Sequence, residues 1–225
     1  MSVSKKWFFA CLVLSMGCLG AQAQNNSLGK NDPDAKKVLD ALSARLKSFK
    51  TVQANFTLKV EDQKGKLQGS KSGSVYIRGN QYHVSITGQE VYSDGKNTWT
   101  YDKSSNEVTI TKTDPNSQTI SPEKFFTDFY DKDFLYKLNG QKKIGDRAVD
   151  EVELTPTDKT KSFYKVLLYI DRVKHTMVSL QWFETGGNRY TLNTTKLTGN
   201  APLTDAQLVF NKARYPGVEE VDLRN

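Results

Sequence analysis

The chain has 225 residues, two cysteines and a formal net charge of +7. Both cysteines, Cys11 and Cys18, fall in an N-terminal export signal, so the mature chain has neither disulfides nor thiolate metal sites and must be held by core packing. Its lysines are scattered rather than striped, which argues against nucleic acid. They read as solvated surface charge, and a mildly basic exported protein also suits anionic partners such as phospholipid surfaces.

The export signal occupies residues 1–23. Lys5 and Lys6 precede an apolar run from Trp7 to about Leu19, and Ala21-Gln22-Ala23 supplies the small-x-small cleavage pattern. The run falls short of the roughly 20 residues of a membrane-spanning helix, with an uncleaved anchor as the alternative. Gly17 before Cys18 is compatible with a lipid-modified start, but Ser15 and Met16 are poor residues for that processing, so cleavage after Ala23 is expected. Residues 24–31 are a polar, flexible leader. No Pro/Ser/Gly-rich linker divides residues 32–225, which are expected to form a single domain.

Asp32-Pro33 predicts a helix start, with a side-chain cap followed by proline at the first helical position. Val38, Leu39, Leu42, Leu46 and Phe49 then recur at helical spacing as one apolar stripe. Period-two alternation follows: Phe56, Leu58 and Val60 share one face of a strand. Turns fall at Lys64-Gly65 and Gly79-Asn80, and Ser93-Asp94-Gly95-Lys96 makes a hairpin that carries Trp99 and Tyr101 onto the sheet. Ser121-Pro122-Glu123 opens a second, short helix with Phe125, Phe126 and Phe129. Phe134, Tyr136 and Leu138 alternate again, and so do Val178, Leu180 and Trp182, with turns at Gly145-Asp146 and Gly186-Gly187-Asn188 between and beyond them. Tyr164 to Ile170 is apolar on both faces, as a central strand would be.

About ten strands with hairpin connections imply an antiparallel sheet. One long helix and one short helix cannot cover so large a flat sheet. A sheet wrapped around its own apolar face, with helices in the open side, is the economical solution, and a two-sheet sandwich is the competitor.

Catalytic chemistry is not legible. His83 and His175 sit in strand-like runs without other ligands at metal spacing, no Gly-x-Ser-x-Gly motif occurs, and Gly186-Gly187-Asn188 is a turn rather than a phosphate loop. Glu123, Glu219 and Glu220 lack a partner for acid–base work. The expectation is a non-enzymatic protein without metal or cofactor.

Several segments in order resemble the LolA family of periplasmic lipoprotein carriers. They are the first helix with Phe49-Lys50-Thr51-Val52-Gln53-Ala54-Asn55-Phe56, the strand Gly73-Ser74-Val75-Tyr76-Ile77-Arg78, and the Ser-Asp-Gly-Lys-x-x-Trp-x-Tyr hairpin of residues 93–101. Asp114-Pro115, Ser121-Pro122 and the terminal Tyr215-Pro216-Gly217-Val218 continue the likeness. The resemblance implies an incomplete antiparallel β-barrel of about ten to eleven strands with a lid of short α-helices. It also implies a monomeric periplasmic carrier that shields lipoprotein acyl chains in a hydrophobic cavity. The lipoproteins would come from a LolCDE-type ABC transporter and pass to an outer-membrane acceptor, LolB-like or different. Long acyl chains need such a shield, because each exposed CH₂ costs about 0.8 kcal/mol.

On this resemblance Phe125, Phe126 and Phe129 are candidate lid residues, and Leu42, Leu46, Phe56, Leu58 and Trp182 candidate cavity residues; each could equally fill a solid core. The family's basic-Arg-Pro lid tether has only Arg78 as its counterpart, since Ile77-Arg78-Gly79-Asn80 lacks the proline. Tyr82 lies near an aromatic through which relatives meet the transporter, with a strand aromatic as its plainer role. The alternative function is an envelope lipid-binding sensor or regulatory module on the same half-barrel.

Overall fold

A computed structural model describes residues 29–113 and 129–224, with the backbone alone for Phe129. The first helix, α1 (Pro33–Lys47), starts where Asp32 caps it: Asp32 Oδ1 accepts the Asp34 amide at 2.9 Å, and Pro33 occupies the first turn. Arg45 and Lys47 sit in the last turn, where they favour the negative end of the helix dipole. The helix buries Ala35, Leu39, Leu42, Ser43 and Leu46 along one side.

Twelve strands form one sheet in two meanders. The first comprises β1 (Val52–Glu61), β2 (Leu67–Arg78), β3 (Gln81–Ile86), β4 (Gln89–Ser93), β5 (Asn97–Asp102) and β6 (Glu107–Lys112). The short helix α2 (Phe129–Asp133) leads into the second, β7 (Phe134–Ile144), β8 (Arg147–Pro156), β9 (Phe163–Asp171), β10 (Met177–Glu184) and β11 (Arg189–Gly199). Pairing of β11 with β1 joins them. The tight turns match the sequence: Gly65, Gly79, Gly95, Gly145 and Gly187 all take positive φ. The final strand, β12 (Glu219–Asp222), follows the helix α3 (Asp205–Leu208) and a 3₁₀ turn at Lys212–Arg214.

The sheet order places β12 at one edge and β7 at the other, with no pairing between them among the described residues, so the barrel is open. This is the mainly β, incomplete barrel that the sequence implies, with twelve strands rather than ten or eleven. The addition is β12, which runs parallel to β6 with Glu219 opposite Glu107. Its four residues are mostly acidic and show no apolar alternation, which hides it in the sequence and discourages further pairing at that edge. The β7 edge is blunted differently. The Asp32 amide donates to the Tyr136 carbonyl at 3.1 Å, while Asn31 and Asp32 accept the Tyr136 and Leu138 amides. Burial of Asp32 opposes its ionisation, but the hydrogen bonds from Leu138 and Asp34 prevail and hold its carboxyl below the usual range.

The inner face of the sheet is the one on which α1 lies. Over β7–β10 the helix leucines meet Val152, Leu154, Val166, Leu168 and Leu180 in the main core, which Tyr130 of α2 completes. A second cluster joins Val52, Ile77 and Tyr82 across β1–β3. The third lies on the outer face, where Tyr101 and Val108 are covered by Val218, Phe210 and Tyr215 of the C-terminal segment. No helix among the described residues is long and apolar enough to cross a membrane.

Candidate functional site

Strand register assembles an apolar strip on the inner face that starts at the border of the α1 core, where Leu180 and Trp182 pack, and runs away from it. Trp182 of β10 lies opposite Tyr190 of β11, which lies opposite Val60 of β1. One pair further along the strands, Leu180, Leu192 and Leu58 form the next row. Ala54 continues sideways to Val75, Val84 and Val91 across β2, β3 and β4. Leu58, Leu192, Trp182, Tyr190, Val75, Val84 and Val91 are all half-buried, unlike the sealed residues under α1. The strip is stiffened at two points. Trp182 stacks on Tyr190 with centroids 4.8 Å apart and planes within 3°. Phe56 lies over Gly73, where an added Cβ would come within 2.5 Å of its Cζ and 2.6 Å of the Ser85 carbonyl oxygen. Only glycine leaves room for that ring.

Such a surface has one evident chemical capacity, the removal of hydrocarbon from water. No group of three or more His, Cys, Asp or Glu residues is placed to hold a metal among the described residues.

Among the candidate cavity residues, Phe56, Leu58 and Trp182 lie together on this strip. Leu42 and Leu46 stop at its border, 4% and 5% exposed inside the α1 core. Phe125 and Phe126 lie outside the described residues, and Phe129 supplies only the backbone at the start of α2. Tyr82 is 6% exposed, packed with Val52 and Ile77, and so offers little surface to a partner. Arg78 is a tether, but to a different helix: its Nη2 donates to Asp205 Oδ1 at 2.7 Å, at the start of α3, and to Gln81 Oε1 at 3.1 Å.

The outer face of β2–β6 holds an arrangement that the sequence reading missed. His83 stacks between Tyr76 and Tyr92, with centroid distances of 5.7 and 3.9 Å. Its Nδ1 is 2.9 Å from the Gln207 carbonyl oxygen and its Nε2 is 3.1 Å from Glu90 Oε2. That same carboxylate oxygen accepts the hydroxyls of Tyr92 at 2.7 Å and Tyr215 at 2.9 Å. Phe210 stacks on Trp99 beside this network. Strand β3, strand β4 and the C-terminal segment are thereby clasped. Burial pushes the His83 imidazole below its ordinary value, against the pull of Glu90. Burial opposes Glu90 ionisation too, yet the two tyrosine hydroxyls and His83 outweigh it and lower its value. A neutral imidazole has one proton for two acceptors, so one of its contacts gains a hydrogen only when the ring is charged. The available sequence signal was alternation: Tyr76, His83, Tyr92 and Trp99 fall side by side once the tight turns fix the register.

The family described as outer membrane lipoprotein carrier protein LolA matches residues 47–211. No curated protein matches significantly. Among solved structures, an uncharacterized conserved protein from Thermus thermophilus superposes with a TM-score of 0.58 at 15% identity, covering 84% of this chain and 99% of that one. That likeness is one of fold. A lipoprotein, LppX, from Mycobacterium tuberculosis gives a TM-score of 0.47 at 14% identity, over 77% of this chain and 99% of that one. A LolA superfamily protein from Nitrosomonas europaea gives 0.41 at 15% identity, over 78% and 97%. The family match spans most of the chain from the end of α1 through α3, and this chain belongs to the LolA family.

Proposed function

We propose that the chain is a periplasmic carrier that holds the acyl chains of lipoproteins against the half-buried inner strip of β1–β4 and β10–β11. The carrying observation is that, among the described residues, α1 covers the inner face over β7–β10, while the apolar surface continues from the Trp182–Tyr190 stack at its border to Leu192 and Leu58, all half-buried. Membership of the LolA family and the export signal of residues 1–23 support the same function. Residues 32–225 would act as one domain after cleavage, without a catalytic step or cofactor. Lipoproteins would be received from a LolCDE-type transporter and given to an outer-membrane acceptor. The lid contribution of Phe125, Phe126 and Phe129 belongs to this proposal.

A carrier also needs reversible binding. Each methylene moved from water to the strip contributes about 0.8 kcal/mol, so a long chain binds firmly without any polar anchor. Release then needs a competing apolar acceptor rather than a chemical reaction. The test is purification from the periplasm followed by mass spectrometry of what co-purifies. Acylated lipoproteins are expected; free lipid alone, together with normal lipoprotein sorting after depletion of the protein, would sink the function.

A further inference from the structure

Three hairpin tips meet at one rim of the open barrel: the β1–β2 turn (62–66), the β8–β9 loop (157–162) and the β10–β11 turn (185–188). Thr185 donates its amide and its hydroxyl to the Ser162 carbonyl at 2.9 and 3.1 Å. Gln63 packs on Gly187, where an added Cβ would lie 3.2 Å from the Gln63 Cβ. The rim is therefore one connected surface.

Its outer side carries exposed aromatic area among cations. Lys165, Phe183 and Arg189 are successive cross-strand neighbours on β9, β10 and β11. Lys165 Nζ is 4.4 Å and Arg189 Cζ 5.3 Å from the Phe183 centroid. Tyr164 is 54% exposed with its ring 6.1 Å from that of Phe183, and Leu67 on the adjoining hairpin is also 54% exposed. Lys64 and Lys66 crown the β1–β2 tip, whereas Asp62 turns inward to accept their backbone amides at 2.9 Å. On the inner side of the same β10–β11 hairpin sits the Trp182–Tyr190 stack.

Arg189 Nη1 lies 4.0 Å from Glu61 Oε2, so that arginine is already paired, and among the described residues Lys165 with Lys64 and Lys66 of the β1–β2 tip supplies the free positive charge. We infer that this rim docks on an anionic phospholipid surface, with Tyr164 and Phe183 in the headgroup zone and Lys165 at the phosphates. Rings with an apolar body and cations on long stems are suited to that zone, where the body leaves water while the charge stays at the interface. An acidic protein surface would satisfy the cations but gives no reason for Tyr164 and Leu67 to be left in water. Docking in this orientation puts the Trp182–Tyr190 stack at the boundary between bilayer and inner strip, where an acyl chain would enter or leave. The inference rests on the carrier function proposed above.

Flotation with vesicles tests it, using the processed protein and phosphatidylglycerol-containing vesicles against vesicles of phosphatidylcholine alone. Binding should favour the anionic vesicles and weaken with salt. Lys165→Gln should lower it about fivefold, the loss expected for one cation at an anionic surface, and Tyr164→Ser should lower it comparably. Binding of a fluorescent fatty acid in solution should be unchanged in both variants, which also verifies their folding. Equal binding to both vesicle types, or no effect of either substitution, overturns the docking. Equally tight binding to polyglutamate that ignores Tyr164→Ser also overturns it, in favour of an acidic protein partner. Loss of fatty-acid binding by the unaltered protein, with flotation intact, would instead count against the carrier function alone.

Discussion

Two stretches of the inner face are built from the same residue types and end in opposite states. Over β7–β10, Val152, Leu154, Val166 and Leu168 are sealed beneath α1. Over β1–β4 and β10–β11, Leu58, Leu192, Val75, Val84 and Val91 point to the same side of the sheet and remain half-buried. Strand alternation decides which side chains face inward. Whether they are sealed or left half-buried depends on where the helix lands, and Asp32 sets that by holding the start of α1 to the β7 edge.

The largest effect should come from the sealed stretch. Leu42→Ala removes a buried side chain that the helix cannot collapse around, at a cost of about 2–5 kcal/mol. Urea unfolding would show the loss, while fatty-acid binding per folded molecule should hold. Leu58→Ser reverses the pattern. Its half-buried side chain contributes only about 1 kcal/mol to stability, but the lost apolar contact should weaken an acyl probe roughly tenfold, or about 1.4 kcal/mol. Equal stability losses with binding unchanged in both variants would erase the division between core and site.

The outer face supplies a third kind of stretch, closed by the C-terminal segment around a polar centre. His83 has a folded value below its ordinary one, so on acidification the unfolded chain takes up a proton that the folded state resists. Stability present above about pH 6.5 should fall as pH drops below it toward the lower folded value. Glu90, also lowered, contributes stability that is lost at more acid pH, as its folded value is passed. Thermal unfolding between pH 7 and pH 5 should show a falling midpoint, and His83→Gln should flatten that slope. A flat profile in the unaltered protein over this window contradicts the assignment. The effect should be smaller than that of Leu42→Ala, because Glu90 partly offsets the desolvation of the imidazole.

Much of this was legible from local chemistry. The Asp32-Pro33 start, the Asp94-Gly95 turn and the alternation of β1 and β7 depend on neighbours in sequence, and the structure has them as expected. In β10 the alternation holds for Leu180 and Trp182, but a bulge between Met177 and Ser179 puts Met177 rather than Val178 on their face. The clasp was not legible, because Tyr215 reaches Tyr92 across 123 positions from a segment without periodicity. Nor could Leu42 be distinguished from Leu58. Both are leucines on an apolar stripe, and only the seat of α1 makes one a core residue and leaves the other at the surface of the strip. Trp99 and Tyr101 pack on the sheet as their alternation suggests, but on the outer face, under Phe210 and Tyr215.

Arg78 gives the smallest expected effect and separates the faces most cleanly. Its ion pair with Asp205 is solvent-exposed, with side-chain exposures of 36% and 81%, so its net worth is within about 1 kcal/mol. Arg78 stands opposite Gln81 on the outer side of the β2–β3 hairpin, with α3 as its partner, whereas α1 and the apolar strip are on the inner side. Arg78→Leu should therefore loosen the α3 end of the C-terminal segment, seen as faster amide exchange around residues 205–208. Global stability should hardly change, and lipoprotein loading and release should match those of the unaltered protein. A tenfold change in loading would instead make Arg78 a latch on the cargo side, coupling the outer clasp to the inner strip through the β2–β3 hairpin.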